Sequence, residues 1–256
     1  MVGVLQTTGR LTLSLLAALG KLGFFTAHTL KALFTNRPFL SEVLHQAHRV
    51  GVQTAGVLCV ILFFVGANVS LVGHAIFTQF GGQNLIGIYV GLSCVVGMAP
   101  IIVGAMLCAK PGTEMAAAIA SMRVNQQIDA LEVMAVNPYW YLVAPRFLAY
   151  LLVTPALVVF AYFASVAGGY VTAVYQLGIN PGTFLADTVR FLTMADLING
   201  IVRGQIFAFV IGLLACFYGF YSAPGPAGVS RAINMAVVFG SVTIIVLNYF
   251  LTELMY

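Results

Sequence analysis

Charged side chains are the scarcest feature of this sequence. Asp, Glu, Lys and Arg make up 7% of its 256 residues, whereas 61% are hydrophobic and the mean hydropathy is +1.01. An average soluble domain carries about a quarter charged residues, so a water-exposed surface cannot be built from this composition. Because the apolar runs reach the roughly 20 helical residues that cross a bilayer, the sequence predicts an all-α integral membrane protein.

Motifs of catalysis and nucleotide binding are also lacking. The sequence has no GxxxxGKS/T phosphate loop, no GxSxG elbow, no HExxH zinc helix and no CxxC pair. Its four cysteines lie in apolar runs, as small packing residues do. Glu42, His45 and His48 share one helical face, which we interpret as a polar interfacial stripe and not a metal site. We predict no catalytic residue, metal or cofactor in this chain.

Five apolar runs are long enough to span a bilayer. They are Val50 to Phe77, Leu85 to Ala109, Phe147 to Tyr175, Leu197 to Tyr221 and Ala232 to Tyr256. Turn-forming residues separate the elements, at Gly81 to Asn84, Lys110 to Gly112, Asn137 to Pro138, Gly178 to Gly182 and Ala223 to Pro226. We expect one domain over 1–256, with a transmembrane bundle from residue 50.

The region before the first span, 1–49, mixes cations with phenylalanines. This pattern over Leu11 to Leu44 is typical of helices that lie in the headgroup layer, although an ordinary cytoplasmic flank fits equally. Cytoplasmic loops collect Lys and Arg. A cytoplasmic N-terminus puts every Lys and Arg inside except Arg190 and Arg203. We therefore predict that orientation, with Tyr256 on the outer side.

The segment Ala116 to Val136, between the second and third spans, is amphipathic. Apolar residues recur at helical spacing, polar ones including Asp129 and Glu132 form the other face, and Asn137 stops the pattern. The sequence predicts a cytoplasmic amphipathic helix there. A docking surface for a cytoplasmic partner explains its concentrated charge better than a solvated connector does.

Polar residues inside the spans are few and costly in lipid. They are Asn68, His74, Arg203, Gln205, Asn234 and Asn248. Hydrogen bonds between helices account for most such residues. For Arg203, an anionic headgroup and Asp196 are equally suitable partners.

Two stretches resemble the signature of the MlaE/YrbE permeases. One is SMRVNQQIDALEVMAVNP over 121–138 with YLVAPR over 141–146, and the other is GPAGVSRA over 225–232, ahead of NYFLT over 248–252. These permeases are the membrane subunits of lipid-transporting ABC systems that work with MCE-domain proteins. With the span layout, the likeness covers nearly the whole chain.

The resemblance implies a non-enzymatic permease subunit of the bacterial inner membrane, which moves phospholipid or a related lipid between that membrane and the envelope. Its implied partners are an ABC ATPase subunit that uses the ATP and Mg²⁺, an MCE-domain protein, membrane lipid and a second permease subunit, in a homodimer or heterodimer. Nucleic acid is not among them.

The resemblance also selects site residues. In that family the segment matching Met122 to Val136 docks on the ATPase, which makes Arg123, Gln127, Asp129 and Glu132 the coupling candidates. The family's lipid cavity, lined by the first two spans near the dimer axis, selects Asn68, Leu71, His74, Val96 and Gly97. We add Arg203 to this substrate set as a cation inside a span.

Several family charges are absent. Relatives commonly have Arg-Glu where this chain has Val96 and Gly97, a carboxylate at the position of Ala118, and an aspartate at that of Asn248; their AGRxG stretch is replaced by AKPG over 109–112. These losses change the electrostatics met by a headgroup. We therefore hypothesise pairing with a different permease subunit that keeps the charges.

Two other classes of protein remain open. A secondary carrier or channel would need an inverted repeat or intramembrane carboxylates, and neither is evident. A membrane scaffold predicts that changing Asp129 and Glu132 to Lys alters assembly and leaves transport intact. Co-purification of an ATPase with the native complex separates the three classes.

Overall fold

The computed structural model describes residues 16–17, 20–33, 40–82 and 85–255, which contain helices and turns but no strand. The helices are α1 (20–33), α2 (Leu40–Thr78), α3 (Ile86–Val124), α4 (Gln127–Val133), α5 (Tyr139–Gln176), α6 (Pro181–Phe191), α7 (Met194–Phe220) and α8 (Pro226–Met255). Five of them, α2, α3, α5, α7 and α8, are long and apolar enough to cross a membrane. This confirms the predicted fold class and number of spans.

The helices extend beyond the predicted apolar runs. α2 begins at Leu40, α3 ends at Val124 and α5 begins at Tyr139. A helix satisfies its own backbone hydrogen bonds in water as well as in lipid, so it continues past the point where hydropathy falls. The predicted boundary at residue 49 therefore lies inside α2 and does not mark a break in the chain.

Parts of some predictions lie outside the described residues. These parts are residues 1–15, 18–19 and 34–39 of the N-terminal region, with Arg10 and Arg37, then Gln83 and Asn84 of the first loop, and Tyr256.

The predicted break at Lys110 to Gly112 is wrong, because α3 runs through it. Pro111 has no N–H and cannot donate to the carbonyl of Leu107. The helix widens there into a π-helical turn, Cys108–Gly112. The wider turn gives the Leu107 carbonyl the backbone N–H of Gly112 in place of the one that proline lacks. The Tyr150 hydroxyl of α5 donates to the same carbonyl at 3.3 Å.

The same arrangement recurs earlier in α3. Pro100 removes the α-helical donor to the Val96 carbonyl, and a π-helical turn, Leu92–Met98, precedes it. Arg203 of α7 donates to that carbonyl from Nη1 at 2.7 Å. Since lipid offers no water to satisfy a bare carbonyl, this hydrogen bond ties α3 to α7.

Glycines allow α2 and α5 to cross in backbone contact. A Cβ on Gly66 would lie 1.8 Å from the Ser165 carbonyl oxygen, and one on Gly168 would lie 1.9 Å from that of Phe63. Small residues permit such close helix contacts inside membranes. This crossing sets the position of α2 against the rest of the bundle.

The predicted helix over Ala116 to Val136 is in fact the end of α3 followed by the short helix α4. Gln126 and Ala135 adopt left-handed conformations, with φ of 58° and 59°, on either side of α4. The apolar spacing continues through the break, which is why the periodicity did not reveal it. Ile128, one of the predicted apolar positions, is fully buried.

The two ends of the bundle differ in charge. One end, here named the basic end, carries Lys21, Lys31, Arg49, Lys110, Arg123, Arg146 and Arg231. α1 packs there through Phe25, whose ring contacts the rings of Tyr139, Phe217, Phe220 and Tyr221. Among the described cations, Arg190 lies at the opposite end and Arg203 lies inside α7.

Candidate functional site

An open groove of about 520 Å³ lies between α2 and α3. Its walls are Phe64, Val65, Asn68 and Val69 of α2 and Met98, Ile101 and Ile102 of α3. Asn68 is the polar member of this lining, and the rest is apolar. Such a surface can accommodate hydrocarbon chains without specific polar contacts.

The structure brings part of the predicted cavity set to this groove. Asn68 lines it, and Leu71 is exposed one turn further along the same face of α2. Gly97 is exposed next to the lining residue Met98. Val96 and His74 are half-buried and lie outside the lining.

Sequence reasoning missed other lining residues. Phe64 is four residues before Asn68, and Ile101 is four residues after Gly97. Residues four apart share a helix face, so this spacing was the available signal.

Arg203 lies behind the groove, not in its lining. Its side chain is 1% exposed. Nη1 donates to the Val96 carbonyl, and Nη2 donates to Asn248 Oδ1 at 2.5 Å and to Thr252 Oγ1 at 2.9 Å. This guanidinium therefore joins three spanning helices, α7, α3 and α8, through acceptors that carry no formal charge.

Neither partner expected for Arg203 accounts for these three hydrogen bonds. At 1% exposure the guanidinium is shielded from a headgroup in this conformation. Asp196 accepts hydrogen bonds from the backbone N–H and hydroxyl of Thr193, at 3.0 and 2.7 Å, and so caps α7.

The four predicted coupling residues gather around α4. Arg123 Nη1 donates to Asp129 Oδ1 at 2.5 Å, which joins the end of α3 to α4. Gln127 and Glu132 are exposed. The pair is itself half-exposed, so it orients α4 more than it stabilises the fold.

The end of α4 presents apolar side chains outside the spans. Val133 is 87% exposed and Met134 is 64% exposed. Both follow Glu132 directly, and the left-handed Ala135 turns the chain back after them. We name Val133 and Met134 the α4 tip. Exposed apolar residues beside charge are a feature of interaction surfaces.

The polar stripe at the start of α2 is solvent-exposed. Glu42, His45 and His48 are all exposed, and Glu42 accepts a hydrogen bond from Gln46 Nε2 at 2.8 Å. Within the described ranges, no three His, Cys, Asp or Glu side chains lie close enough to hold a metal ion.

Five spanning helices, an apolar groove and an exposed tip beyond the spans define a multi-pass α-helical membrane permease. The family described as Permease MlaE matches residues 43–254 of the 256. The chain therefore belongs to the MlaE permease family, which confirms the resemblance found in the sequence.

Relatives match over nine-tenths or more of the chain. A probable ABC transporter permease protein of Rickettsia felis is 32% identical over 100% of this chain and 99% of its own length. The intermembrane phospholipid transport system permease protein MlaE of Haemophilus influenzae is 26% identical over 100% of this chain and 98% of its own length. A probable ABC transporter permease protein of Synechocystis is 29% identical over 91% of this chain and 89% of its own length.

Proposed function

We propose that this chain is the permease subunit of an ABC-type transporter that moves phospholipid or a related lipid. The groove of about 520 Å³ between α2 and α3 carries the proposal, because its lining is apolar apart from Asn68. The name of the Haemophilus relative supports the lipid substrate, and the name of the Rickettsia relative supports the ABC transporter.

The groove suits a lipid better than a polar solute. Acyl chains need only apolar walls, and a polar solute would need several converging hydrogen-bonding groups. Asn68 is exposed in the groove, where a polar side chain needs a headgroup, water or a second subunit. The exposed apolar faces of α2 and α8 leave room for that second permease subunit.

The energy for transport comes from a separate ATPase subunit, since this sequence has no phosphate-binding loop. We assign its docking surface to the α4 tip with Arg123, Gln127, Asp129 and Glu132. ATP binding by the partner would move α4, and the Arg123–Asp129 pair would pass that movement to α3. The spans would then shift as near-rigid bodies and expel the lipid.

The basic end is assigned to the cytoplasm of a bacterial cell, with the N-terminus on that side. The support is the concentration of Lys and Arg at that end of the described bundle. The ATPase then meets α4 inside the cell, and an MCE-domain protein meets the opposite end, near α6.

The test uses the whole complex in proteoliposomes, with ATP-dependent transfer of a fluorescent phospholipid as the readout. A Val133→Asp, Met134→Asp double variant should lose both the bound ATPase subunit and transfer by more than about tenfold, because two apolar anchors of an interface become charged. Lys21→Asp, an exposed position of α1 at the same basic end and outside α4, is the matched control and should retain both.

Two results would contradict the proposal. Wild-type complex that binds ATPase yet moves no lipid would favour the scaffold class. A double variant that keeps its ATPase and full transfer would show that coupling runs elsewhere.

A further inference from the structure

Arg146 lies between two cavities at the basic end that the proposed transport groove does not include. The larger, of about 410 Å³, is lined in part by Ser41, Glu42 and Tyr141. The smaller, of about 50 Å³, is lined in part by Arg49. Arg146 closes the YLVAPR stretch of the sequence and lines both cavities.

The guanidinium of Arg146 uses only part of its hydrogen-bonding capacity. It is half-buried, and its hydrogen bonds are a long one to the Leu142 carbonyl, at 3.3 Å in its own helix, and a weak one to Met122 Sδ at 4.0 Å. Within the described residues, no carboxylate oxygen lies within 4 Å of it. Because a guanidinium has five N–H donors in a planar fork, it can still receive an oxyanion.

The facing side of α2 supplies charges of both signs. Glu42, Gln46 and Arg49 fall on one face of this helix. Gln46 holds the Glu42 carboxylate in the larger cavity at 2.8 Å, and Arg49 approaches Glu114 at 3.8 Å beside the smaller one. Arg146 is therefore the central cation of the site, with the Glu42 carboxylate on one side and the Arg49 guanidinium on the other.

This site lies where lipid headgroups are expected. Tyr139, Trp140 and Tyr141 begin α5, and such aromatic belts mark the membrane–water interface. Leu40 and Leu44 of α2 are 68% and 53% exposed close to the larger cavity. They provide apolar surface for acyl chains next to a charged pocket.

We propose that the Arg146 cavities bind the headgroup of a zwitterionic phospholipid of the phosphoethanolamine type, with its phosphate on Arg146 and its ammonium group toward Glu42. The inference rests on the proposed lipid function and adds a headgroup site at the basic end, several helical turns along α2 from the groove. A soluble phosphoethanolamine ester shares this chemistry, so the test must separate it from the lipid.

The test is native mass spectrometry of the complex in detergent, titrated with phosphatidylethanolamine or with phosphatidylglycerol. Arg146→Gln should weaken binding of both lipids about tenfold, because both carry the phosphate. Glu42→Gln should weaken binding of phosphatidylethanolamine alone, by roughly twofold to fivefold. Arg231→Gln, an exposed arginine of the basic end outside both linings, should match wild type.

Three results would overturn the site. They are equal lipid binding by Arg146→Gln and wild type, equal loss of both lipids in Glu42→Gln, and binding of glycerophosphoethanolamine as tight as that of the lipid. If Arg146→Gln does not fold, the exposed Glu42→Gln variant still tests the proposal, through the ratio of its affinities for phosphatidylethanolamine and phosphatidylglycerol. Arg146-dependent binding in a complex without ATP-driven transfer refutes the proposed function and supports the site. ATP-driven transfer by a complex that shows no Arg146-dependent lipid binding supports the proposed function and refutes the site.

Discussion

Replacing Asn248 with Leu should destabilise the bundle, because it removes the acceptor that lies 2.5 Å from the Arg203 guanidinium. Arg203 is 1% exposed and cannot turn to water to recover the lost hydrogen bond. A hydrogen bond to a charged group contributes about 1.5–3 kcal/mol. Val96 and Thr252 still accept hydrogen bonds from Arg203, so we expect a loss of about 2–3 kcal/mol.

Equilibrium unfolding in mixed micelles, followed by helical circular dichroism, measures this loss, which corresponds to a fall in Tm of roughly 5–10 °C. Asn234→Leu is the matched control: Asn234 is exposed on the same helix, so this substitution should not lower stability. Asn248→Asp should be at least as stable as wild type, because the hydrogen bond becomes charge-assisted on both sides. Equal stability of the two Leu variants would refute the assigned role of Arg203.

Two further substitutions test the helix contacts. Gly66→Ala should cost about 1–3 kcal/mol in the same unfolding assay, because its Cβ would lie 1.8 Å from the Ser165 carbonyl oxygen. Gly56→Ala in the same helix is the control: its Cβ would meet nothing within 4 Å, so the substitution should be neutral or stabilising. Tyr150→Phe should cost about 0.5–1.5 kcal/mol by removing the hydroxyl that donates to the Leu107 carbonyl from α5, and a free energy of unfolding equal to that of wild type would contradict this hydrogen bond.

The spans were predictable because their signal is local. Length and hydropathy identify a segment that must be helical in lipid, whatever it packs against. Helix ends in water and the continuation through Pro111 were not predictable in this way. Both depend on partners from elsewhere in the chain, such as the Tyr150 hydroxyl, which is 43 residues from the carbonyl to which it donates.

The candidate site was predictable only in part, for the same reason. Asn68 was identifiable because a polar residue in a span needs a partner or a cavity. The hydrogen bonds of Arg203 join residues 45 and 49 positions apart in α7 and α8, and no spacing rule connects them. Arg146 belonged to a stretch that carried the resemblance, yet its cavities form only where α2, α3 and α5 meet.

α3 connects all of these features, and its irregular turns explain how it can carry movement. It forms one wall of the groove through Met98 and Ile101, and at its end Arg123 holds α4. Two cross-helix hydrogen bonds hold α3 to its neighbours: the one from Tyr150 to Leu107 lies between these points, and the one from Arg203 to Val96 lies just before the groove wall. In the proposed mechanism, a displacement of α4 would pull α3 against these two cross-helix hydrogen bonds. The spanning helices that carry these donors, α7 and α5, should consequently follow α3, so that work done at the tip reaches the wall of the groove.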